Sequence, residues 1–202
     1  SDAEISPMYS SAIEGRGMFL EQNLNTKLNI HIIDTHTYSM GTGMIVLAAK
    51  KSIEQGKSVY ETLSLIDDLV NRVEIMVNSF SIKNLPSDTA LDWIKKFTSG
   101  IAHPFPTLQI VNSEAQELPI KKGDHTAFDQ FFDYCIKALK GHDTEYYIGY
   151  TLREKEASAL SMVLEKELGV PPQMIYKLGG FSSYCNGRAA ITITYLGKSR
   201  KV

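Results

Sequence analysis

Apolar residues recur along the chain at spacings that alternate between the periods of helices and strands. Spacing near 3.6 residues, together with capping residues, predicts helices over 7–22, 41–55, 58–73, 87–98, 124–139 and 151–168. Short apolar or alternating runs predict strands over 27–34, 74–82, 107–111, 117–120, 145–150, 174–178 and 188–196. Strands that alternate with helices indicate the α/β class.

Residues at the predicted helix ends support these boundaries. Ser6 stands before Pro7 and is expected to cap the first helix. Gly56 is expected to end the second helix. The stretches 58–61 and 151–154 both read as capping boxes, in which a hydroxyl and a carboxylate satisfy each other's backbone amides.

The balance of elements changes near residue 80. Before it, a single strong strand stands beside three helices; after it, a mixed sheet with a hairpin is predicted. A parallel sheet cannot be built from one strand, so we expect partner strands from elsewhere or a longer protein. The predicted organisation is a remnant of a first, parallel α/β domain over residues 1–80 and a second, mixed-sheet α/β domain over 81–202.

Composition narrows the function classes. The 202 residues are 43% hydrophobic and 22% charged, with a formal net charge of -2 and acids and bases interspersed. The sequence has no basic stripe with interleaved aromatic residues, so nucleic-acid binding is not favoured. The longest strictly apolar run, 44–49, is far too short to cross a membrane. Two cysteines do not make a disulfide framework. A soluble, cytoplasmic protein is predicted.

The stretch 34–44 has the layout of an anion site. An apolar run ends at Asp34, a polar turn follows, and Gly41 and Gly43 introduce a helix whose first amides carry partial positive charge. The alternative is a well-capped turn whose glycines permit close packing. The sequence is neither a P-loop nor a Gly-x-Gly-x-x-Gly fingerprint. His31, Asp34 and His36 make a weak metal candidate, because alternation on a strand points His31 and Asp34 to opposite faces.

A second glycine-rich stretch, 177–196, supplies hydroxyls, an amide and free backbone amides. Its polar and flexible residues are Gly179, Gly180, Ser182, Ser183, Asn186 and Gly187. The alternative is a long, hairpin-like connection between two strands. Cys185 lacks a neighbouring histidine, so an ordinary thiol is favoured over a nucleophile.

Three stretches resemble the DegV family of bacterial fatty-acid-binding proteins. "ISPMYSSA" is similar to the family's serine-bearing turn, and "HIIDTHTYSMGTGMIVLAAKKSIEQGKS" resembles its Asp-Ser…Ser-Met-Gly-x-Gly segment and following helix. "YYIGYTLREKEASALSMVLEKELG" with "IYKLGG…GRAAITITYLG" is similar to the closing part of the fold. Family members usually begin some eighty residues earlier, which would account for the missing strands through truncation.

The resemblance implies a non-enzymatic carrier. Such proteins bury the tail of one long-chain fatty acid in the second domain, hold its carboxylate at the domain junction, and present it to a separate fatty acid kinase. Ser6 is the expected carboxylate ligand. The other expected ligand-binding residues are Tyr9, Ser39, Met40, Gly41, Gly43, Gly179, Gly180, Ser182, Ser183 and Asn186. No cofactor, metal or catalytic residue is implied.

The chain departs from the family pattern at the head-group contacts. It lacks the Gly-Gly-Arg-Ile motif, and Cys185 and Arg188 stand where the final loop usually has histidine and proline. A fatty acid held by other groups, another amphiphile, and loss of coupling to the kinase all stay open. Arg188 and Lys177 are the candidate replacements for the missing cation.

Two other functions compete with lipid binding. A phosphate- or nucleotide-using enzyme built on 34–44 requires a carboxylate cluster for Mg²⁺, and the sequence supplies only Asp34 there. A protein-interaction domain without a small ligand is the third hypothesis. Apolar residues left uncovered by the missing strands also predict an oligomer of the truncated form.

Overall fold

A computed structural model of the chain describes residue 3 and residues 7–79, 106–119, 127–141 and 145–200. Its helices are α1 Met8–Gln22, α2 Met40–Glu54, α3 Val59–Val70, α4 Ala127–Leu139, α5 Glu154–Leu168 and α6 Gly180–Asn186. Its strands are β1 Val73–Ser79, β2 Thr107–Val111, β3 Glu114–Glu117, β4 Tyr146–Thr151, β5 Met174–Lys177 and β6 Ala190–Leu196.

The six strands form one mixed sheet in the order β3-β2-β1-β6-β4-β5. Neighbouring strands are antiparallel except β4 and β5, which are parallel and are joined through α5. The predicted α/β class with a mixed sheet is confirmed. Within the described residues, no helix is long and apolar enough to cross a membrane.

One face of the sheet carries the largest hydrophobic core. Residues from α4 and α5 pack on alternate residues of β1, β4 and β6. Phe131, Leu160 and Ile193 are fully buried there, and so is Cys135. Burial raises the pKa of the Cys135 thiol, so Cys135 acts as a small apolar residue of the core.

The opposite face carries two smaller clusters. In the first, residues from α2 and α3, such as Ile45 and Leu69, pack on Val73 and Leu196. The second, called the Tyr38 cluster here, consists of Tyr38, Ile75, Val77, Leu108, Ile110 and Ala190. Among the described elements, no helix contributes to the Tyr38 cluster. Tyr38 packs on buried side chains of β1, β2 and β6, with Ala115 at the margin.

Helix α3 begins as predicted. The Ser58 hydroxyl accepts from the Glu61 amide at 3.2 Å, and the Ser58 amide donates to the Glu61 carboxylate at 2.8 Å, so the capping box is confirmed. The Ser58 hydroxyl, which donates to the same carboxylate at 2.6 Å, and the Ser58 amide lower the pKa of the Glu61 carboxyl. Gly56 follows α2 with a φ of 76°, as a glycine in the left-handed region does after a helix.

Substituting Ser58→Ala should destabilise the protein by about 1 kcal/mol, because an amide of the first turn loses its acceptor. A carboxyl whose folded pKa is lowered stabilises the fold above its ordinary pKa, and this contribution is lost as pH falls through the lowered value. Ser58→Ala should therefore lose less stability on acidification than the wild type. Urea denaturation at neutral and acidic pH checks both effects. Ser64→Ala, at an exposed position inside α3, is the control and should change neither.

Two predicted local structures are wrong. Residues 27–34 are not a strand, because within the described part of the chain no strand edge lies beside them to complete a ladder. Thr151 does not cap a helix. It is the last residue of β4, and its buried hydroxyl accepts from the Ala190 amide at 2.7 Å and donates to the Gly187 carbonyl at 3.3 Å.

The two predicted connections also need correction. The hairpin exists, but Asn112 and Ser113 both have positive φ, as in a type I′ turn, so β3 begins at Glu114 rather than at residue 117. The stretch 179–187 is not a hairpin-like link. It contains helix α6, and β5 and β6 are separated by β4. The predicted helix 87–98, the cap at Ser6 and the predicted start of the helix 124–139 lie outside the described residues.

Strand β1 bears on the predicted division at residue 80. The division assigns β1 to the first domain, yet β1 is a central strand that pairs with β2 on one side and β6 on the other. Helix α2 also contacts β1 and β6. The division itself stays a prediction.

Candidate functional site

The Ser39 turn, residues 34–43, runs from Asp34 into the first turn of α2. The Asp34 carboxylate accepts from the amides of Ala3 and His36, each at 3.1 Å. The Ser113 amide of the β2–β3 hairpin donates to the His36 carbonyl at 3.0 Å. Asp34 therefore acts as a structural acceptor that fixes the backbone of the turn.

Threonine hydroxyls fill the inside of the turn. Thr35 and Thr37 are buried. The Thr42 hydroxyl lies 3.2 Å from the Thr35 hydroxyl and donates to the Thr37 carbonyl at 3.2 Å. A Cβ at Gly41 would lie only 2.1 Å from Thr37 Oγ1, so this position has no room for a side chain. The glycine allows the buried threonine to pack directly under the helix terminus.

Ser39 has an unusual backbone conformation in the middle of the turn. Its φ of 52° and ψ of −126° lie in a region that residues other than glycine seldom adopt. Its side chain is exposed and does not cap α2, and the first turn of α2 has no acidic residue. The positive end of the helix is therefore not neutralised from within its own first turn.

A hydrogen-bonded network joins the Ser39 turn to α6. The Ser182 hydroxyl donates to the Ser39 hydroxyl at 3.1 Å, and the Tyr38 hydroxyl donates to Asn186 Oδ1 at 2.8 Å. The Asn186 side chain in turn donates to the Ser182 carbonyl at 2.8 Å, and the Ser79 hydroxyl donates to the Asn186 carbonyl at 2.9 Å. Three segments distant in sequence, the Ser39 turn, the end of β1 and α6, thus converge on one polar surface.

The hydroxyl of Tyr176 lies on the buried side of this surface. A Cβ at Gly149 would lie 2.7 Å from this hydroxyl and 2.5 Å from Thr192 Oγ1, so the two oxygens are neighbours. Burial raises the pKa of Tyr176, and the hydroxyls of Thr192, Ser39 and Thr194 partly offset that rise. The phenol is therefore protonated, and able to donate a hydrogen bond, at neutral pH.

Some of the predicted site residues lie together in the structure, whereas others make hydrogen bonds elsewhere or lie apart. Ser39, Met40, Gly41 and Gly43 share the Ser39 turn, and Ser182 reaches it directly. Asn186 also lies there, but its amide is used between Tyr38 and Ser182.

The other predicted site residues contribute less to this surface. Ser183 donates to the Leu178 carbonyl at 3.2 Å, which gives it a structural role within α6. Gly179 and Gly180 are exposed at the start of α6. Tyr9 is half-buried in α1, with no hydrogen bond to the turn among the described residues. Ser6 lies outside the described residues.

Few charged side chains near the Ser39 turn are candidates for binding a metal ion or a carboxylate. Across residues 7–79, 106–119, 127–141 and 145–200, no three His, Cys, Asp or Glu side chains form a group that could hold a metal ion. His36 Nδ1 is 3.7 Å from Asp34 Oδ1. Lys177 and Arg188, the two candidate cations, are both exposed.

Sequence reasoning missed Tyr38 and Tyr176. Tyr38 stands beside the predicted Ser39, but nothing in its neighbourhood indicates that its ring enters the sheet. One signal was available for the buried hydroxyls, since the alternation in β6 places Thr192 and Thr194 on a single face. No local pattern shows that this face lies beneath the Ser39 turn.

The chain matches the family model described as "Uncharacterised protein, DegV family" over residues 1–198. The chain belongs to the DegV family. A DegV domain-containing protein of Caldanaerobacter subterraneus is 23% identical over 169 residues, which cover 83% of this chain and 58% of that relative. A second, from Lactococcus lactis, is 24% identical over 70% of this chain and 48% of its own length. The chain thus spans about half the length of these two curated DegV relatives.

Solved DegV structures share the fold. One is a DegV family protein of Eubacterium eligens loaded with heptadecanoic acid, at a TM-score of 0.78 and 18% identity over 98% of this chain and 71% of that one. A stearic-acid-binding protein of Eubacterium ventriosum has a TM-score of 0.79 and 18% identity, and the match covers 98% of this chain and 68% of that one. The Fatty Acid Kinase (Fak) B3 protein of Streptococcus pneumoniae, loaded with linoleic acid, has a TM-score of 0.78 and 16% identity. The match covers 98% of this chain and 69% of that one.

Proposed function

We propose that this chain binds a long-chain fatty acid, with the carboxylate at the Ser39 turn and the acyl tail against the Tyr38 cluster. The observation that carries the proposal is the position of Tyr38. Its ring packs among Ile75, Val77 and Leu108, while its hydroxyl donates to Asn186 in the polar surface. One side chain therefore spans the boundary between donors for a head group and an apolar face for a tail.

The polar surface has the chemistry that a carboxylate requires. A carboxylate that leaves water must be met by several donors, and hydrogen bonds to an ionised acceptor are the strong ones. Ser39 and Ser182 supply hydroxyls at the surface, and the positive end of α2 lies directly behind Ser39. Lys177 and Arg188 remain as exposed cations near the same elements.

The Tyr38 cluster has the chemistry that a hydrocarbon tail requires. Burial of each methylene is worth about 0.8 kcal/mol, so a long acyl chain supplies enough free energy for tight binding. We assign the tail to the Tyr38 cluster because the Tyr38 side chain joins this cluster to the polar surface that is proposed to hold the carboxylate.

The role proposed for the bound ligand is presentation to a separate fatty acid kinase. The family membership and the Fak B3 neighbour support this role. Ser39 is exposed, so a carboxylate held there lies near the surface, within reach of a second protein. The chain would then act as a carrier, with the chemistry performed by the partner.

The proposal is tested by binding to delipidated protein. Stearate should stabilise the protein and bind at least tenfold more tightly than methyl stearate, because the ester has the same tail without the charge that the donors favour. Calorimetry or displacement of a fluorescent fatty acid measures the difference. Equal affinity for acid and ester would contradict the head-group assignment, and no binding of either would contradict lipid binding itself.

A pair of adjacent serines gives the site-specific prediction. Ser182→Ala should weaken stearate binding about fivefold, since one neutral donor is worth on the order of 1 kcal/mol. Ser183→Ala is the matched control, because its hydroxyl is committed to the Leu178 carbonyl, and its affinity should match the wild type. Titration of stearate into each variant checks the ranking. The assignment of Ser182 fails if both variants lose affinity equally.

The phosphate- or nucleotide-using enzyme receives no comparable support. It requires a carboxylate cluster beside the turn. Among the described residues, the carboxylate at the turn is Asp34, which holds two backbone amides instead. No specific observation favours this function over lipid binding.

A further inference from the structure

The chain between α1 and the Ser39 turn has no partner for its backbone. Residues 26–35 contain no helix, turn or bend, and none of them has a positive φ, so this stretch runs as an extended chain. Residues 28–33, called the unpaired segment here, make no backbone–backbone hydrogen bond within the part of the chain that the structure describes. Thr26 Oγ1 accepts from the Leu28 amide at 3.2 Å, and Arg16 donates to the Ile30 carbonyl at 3.4 Å.

The two edges of the six-stranded sheet are protected against the addition of another strand, whereas the unpaired segment is not. Strand β3 has four residues, two of which are glutamates. Strand β5 also has four residues, follows the prolines at 171 and 172, and ends at Lys177. Short length, charges and prolines are the usual protection of a sheet edge. The unpaired segment, LNIHII, contains no Asp, Glu, Lys, Arg or Pro, so it has the character of a strand that is meant to be paired.

The N-terminal part of the chain, which contains the unpaired segment, also exposes most of the apolar surface. Of the sixteen large hydrophobic side chains that are exposed among the described residues, eleven lie in residues 8–60. Helix α1, which leads into the segment, has no buried residue, although it carries Ile13, Met18 and Leu20. Exposed apolar side chains concentrated in one region are typical of a surface that another molecule covers.

We propose that the unpaired segment joins two copies of this chain in an antiparallel ladder across a twofold axis, with the two Ile30 residues opposite each other at the axis. The sequence of the segment is self-complementary in this register. Leu28 of one copy lies opposite Ile32 of the other, on the same face as Ile30, so this face of the ladder is entirely apolar. Asn29 lies opposite His31 on the other face, which is polar. A second copy is therefore the partner that the pattern fits, since a twofold interface requires such self-complementarity.

The hydrogen bond from Arg16 indicates which edge of the segment is free. Backbone groups of alternate residues in a strand point to the same edge. Arg16 occupies the edge to which the Ile30 carbonyl points, so the groups of Asn29 and His31 point to the opposite edge. Pairing along that edge makes the two Ile30 residues a non-hydrogen-bonded pair, in which opposite side chains lie closest together.

The neighbouring register is less favourable. An axis at His31 would place Leu28 opposite Asp34. The Asp34 carboxylate is held by the amides of Ala3 and His36, so an apolar side chain would face a fixed charge at each end of the ladder. The register centred on Ile30 is therefore the one to test.

Sedimentation equilibrium of the wild-type chain and two lysine variants tests the interface. The wild type should be a dimer at micromolar concentration. Ile30→Lys should raise the dimer dissociation constant about tenfold or more, because it places two like charges opposite each other at the axis. His31→Lys is the matched control. It adds the same charge at an exposed position on the polar face, so its dissociation constant should match the wild type. Circular dichroism checks that each variant folds.

A pair of cysteine variants tests the register without adding charge. In Ile30→Cys the two new thiols would face each other across a pair whose Cα atoms are about 4.5 Å apart, which is within the range of a disulfide. In Asn29→Cys the two thiols would be too far apart. Oxidised glutathione, which is reduced as the two thiols are oxidised, should therefore convert Ile30→Cys to a covalent dimer on a non-reducing gel, whereas Asn29→Cys should remain a monomer there.

The outcomes decide the proposal independently of fatty acid binding, since no measurement requires the ligand. A wild type that is monomeric at micromolar concentration overturns it. A folded Ile30→Lys variant that dimerises as tightly as the wild type also overturns it, and so do equal yields of covalent dimer from the two cysteine variants. If Ile30→Lys does not fold, the cysteine pair decides.

Discussion

Gly41→Ala should lose about 3 kcal/mol of stability and most of its affinity for fatty acid. The new methyl group would lie 2.1 Å from Thr37 Oγ1 and 2.9 Å from Thr37 Cγ2. Thr37 is buried and short, so it cannot swing aside, and the overpacked helix start must move. Because Ser39 precedes Gly41 by only two residues, the shift also displaces the donors. Chemical denaturation and a stearate titration measure the two losses.

Gly43→Ala is the matched control for the Gly41 prediction. Its Cβ would meet only the flexible end of the Met40 side chain, at 2.9 Å from the sulfur, and alanine is a better helix former than glycine. Its stability should stay within about 1 kcal/mol of the wild type. Adding Thr37→Ala to Gly41→Ala removes the clashing atoms and should recover part of the stability. Equal losses in the Gly41 and Gly43 variants would show that the packing argument is wrong.

Tyr38→Ala should destabilise the ligand-free protein by about 3 kcal/mol or more, because it removes a buried ring from the sheet. It also removes the donor to Asn186 Oδ1. The cavity lies where the acyl tail is proposed to bind, so stearate should raise the melting temperature of this variant more than that of the wild type. Thermal unfolding with and without stearate measures both effects.

Tyr38→Phe separates the ring from its hydroxyl. It keeps the packing and loses one hydrogen bond to a buried acceptor, so a cost of about 1–2 kcal/mol is expected, with a ligand-induced shift like that of the wild type. If stearate stabilises Tyr38→Ala no more than it stabilises Tyr38→Phe, the tail does not occupy the space beside Tyr38.

Elements whose signals are local were predictable from the sequence. The capping box at Ser58, the glycine after α2 and the alternation in β6 all correspond to the structure, because each is decided by residues within one or two turns. The prediction of a strand over 27–34 was wrong because a strand also requires a partner strand, which a local apolar pattern does not reveal. The prediction of a helix cap at Thr151 was wrong because its hydroxyl hydrogen-bonds to two backbone groups near the start of β6, far along the chain.

The candidate site was predictable only in part. The resemblance indicated the Ser39 turn and the stretch around Ser182, and the structure brings these two together. Residue types and spacing alone left the turn as either an anion site or a packing device. The contributions of Tyr38 and Tyr176 depend on which strands become neighbours, and Gly149 acquires its meaning only from the ladder with β5.

The most direct test of the account is a crystal structure of the delipidated protein after reconstitution with stearate. The carboxylate should lie within hydrogen-bond distance of the Ser39 and Ser182 hydroxyls, and the tail should lie against Ile75, Val77 and Leu108, with the Tyr38 ring displaced or packed along it. A tail on the face covered by α4 and α5, or a carboxylate that contacts neither serine, would contradict it.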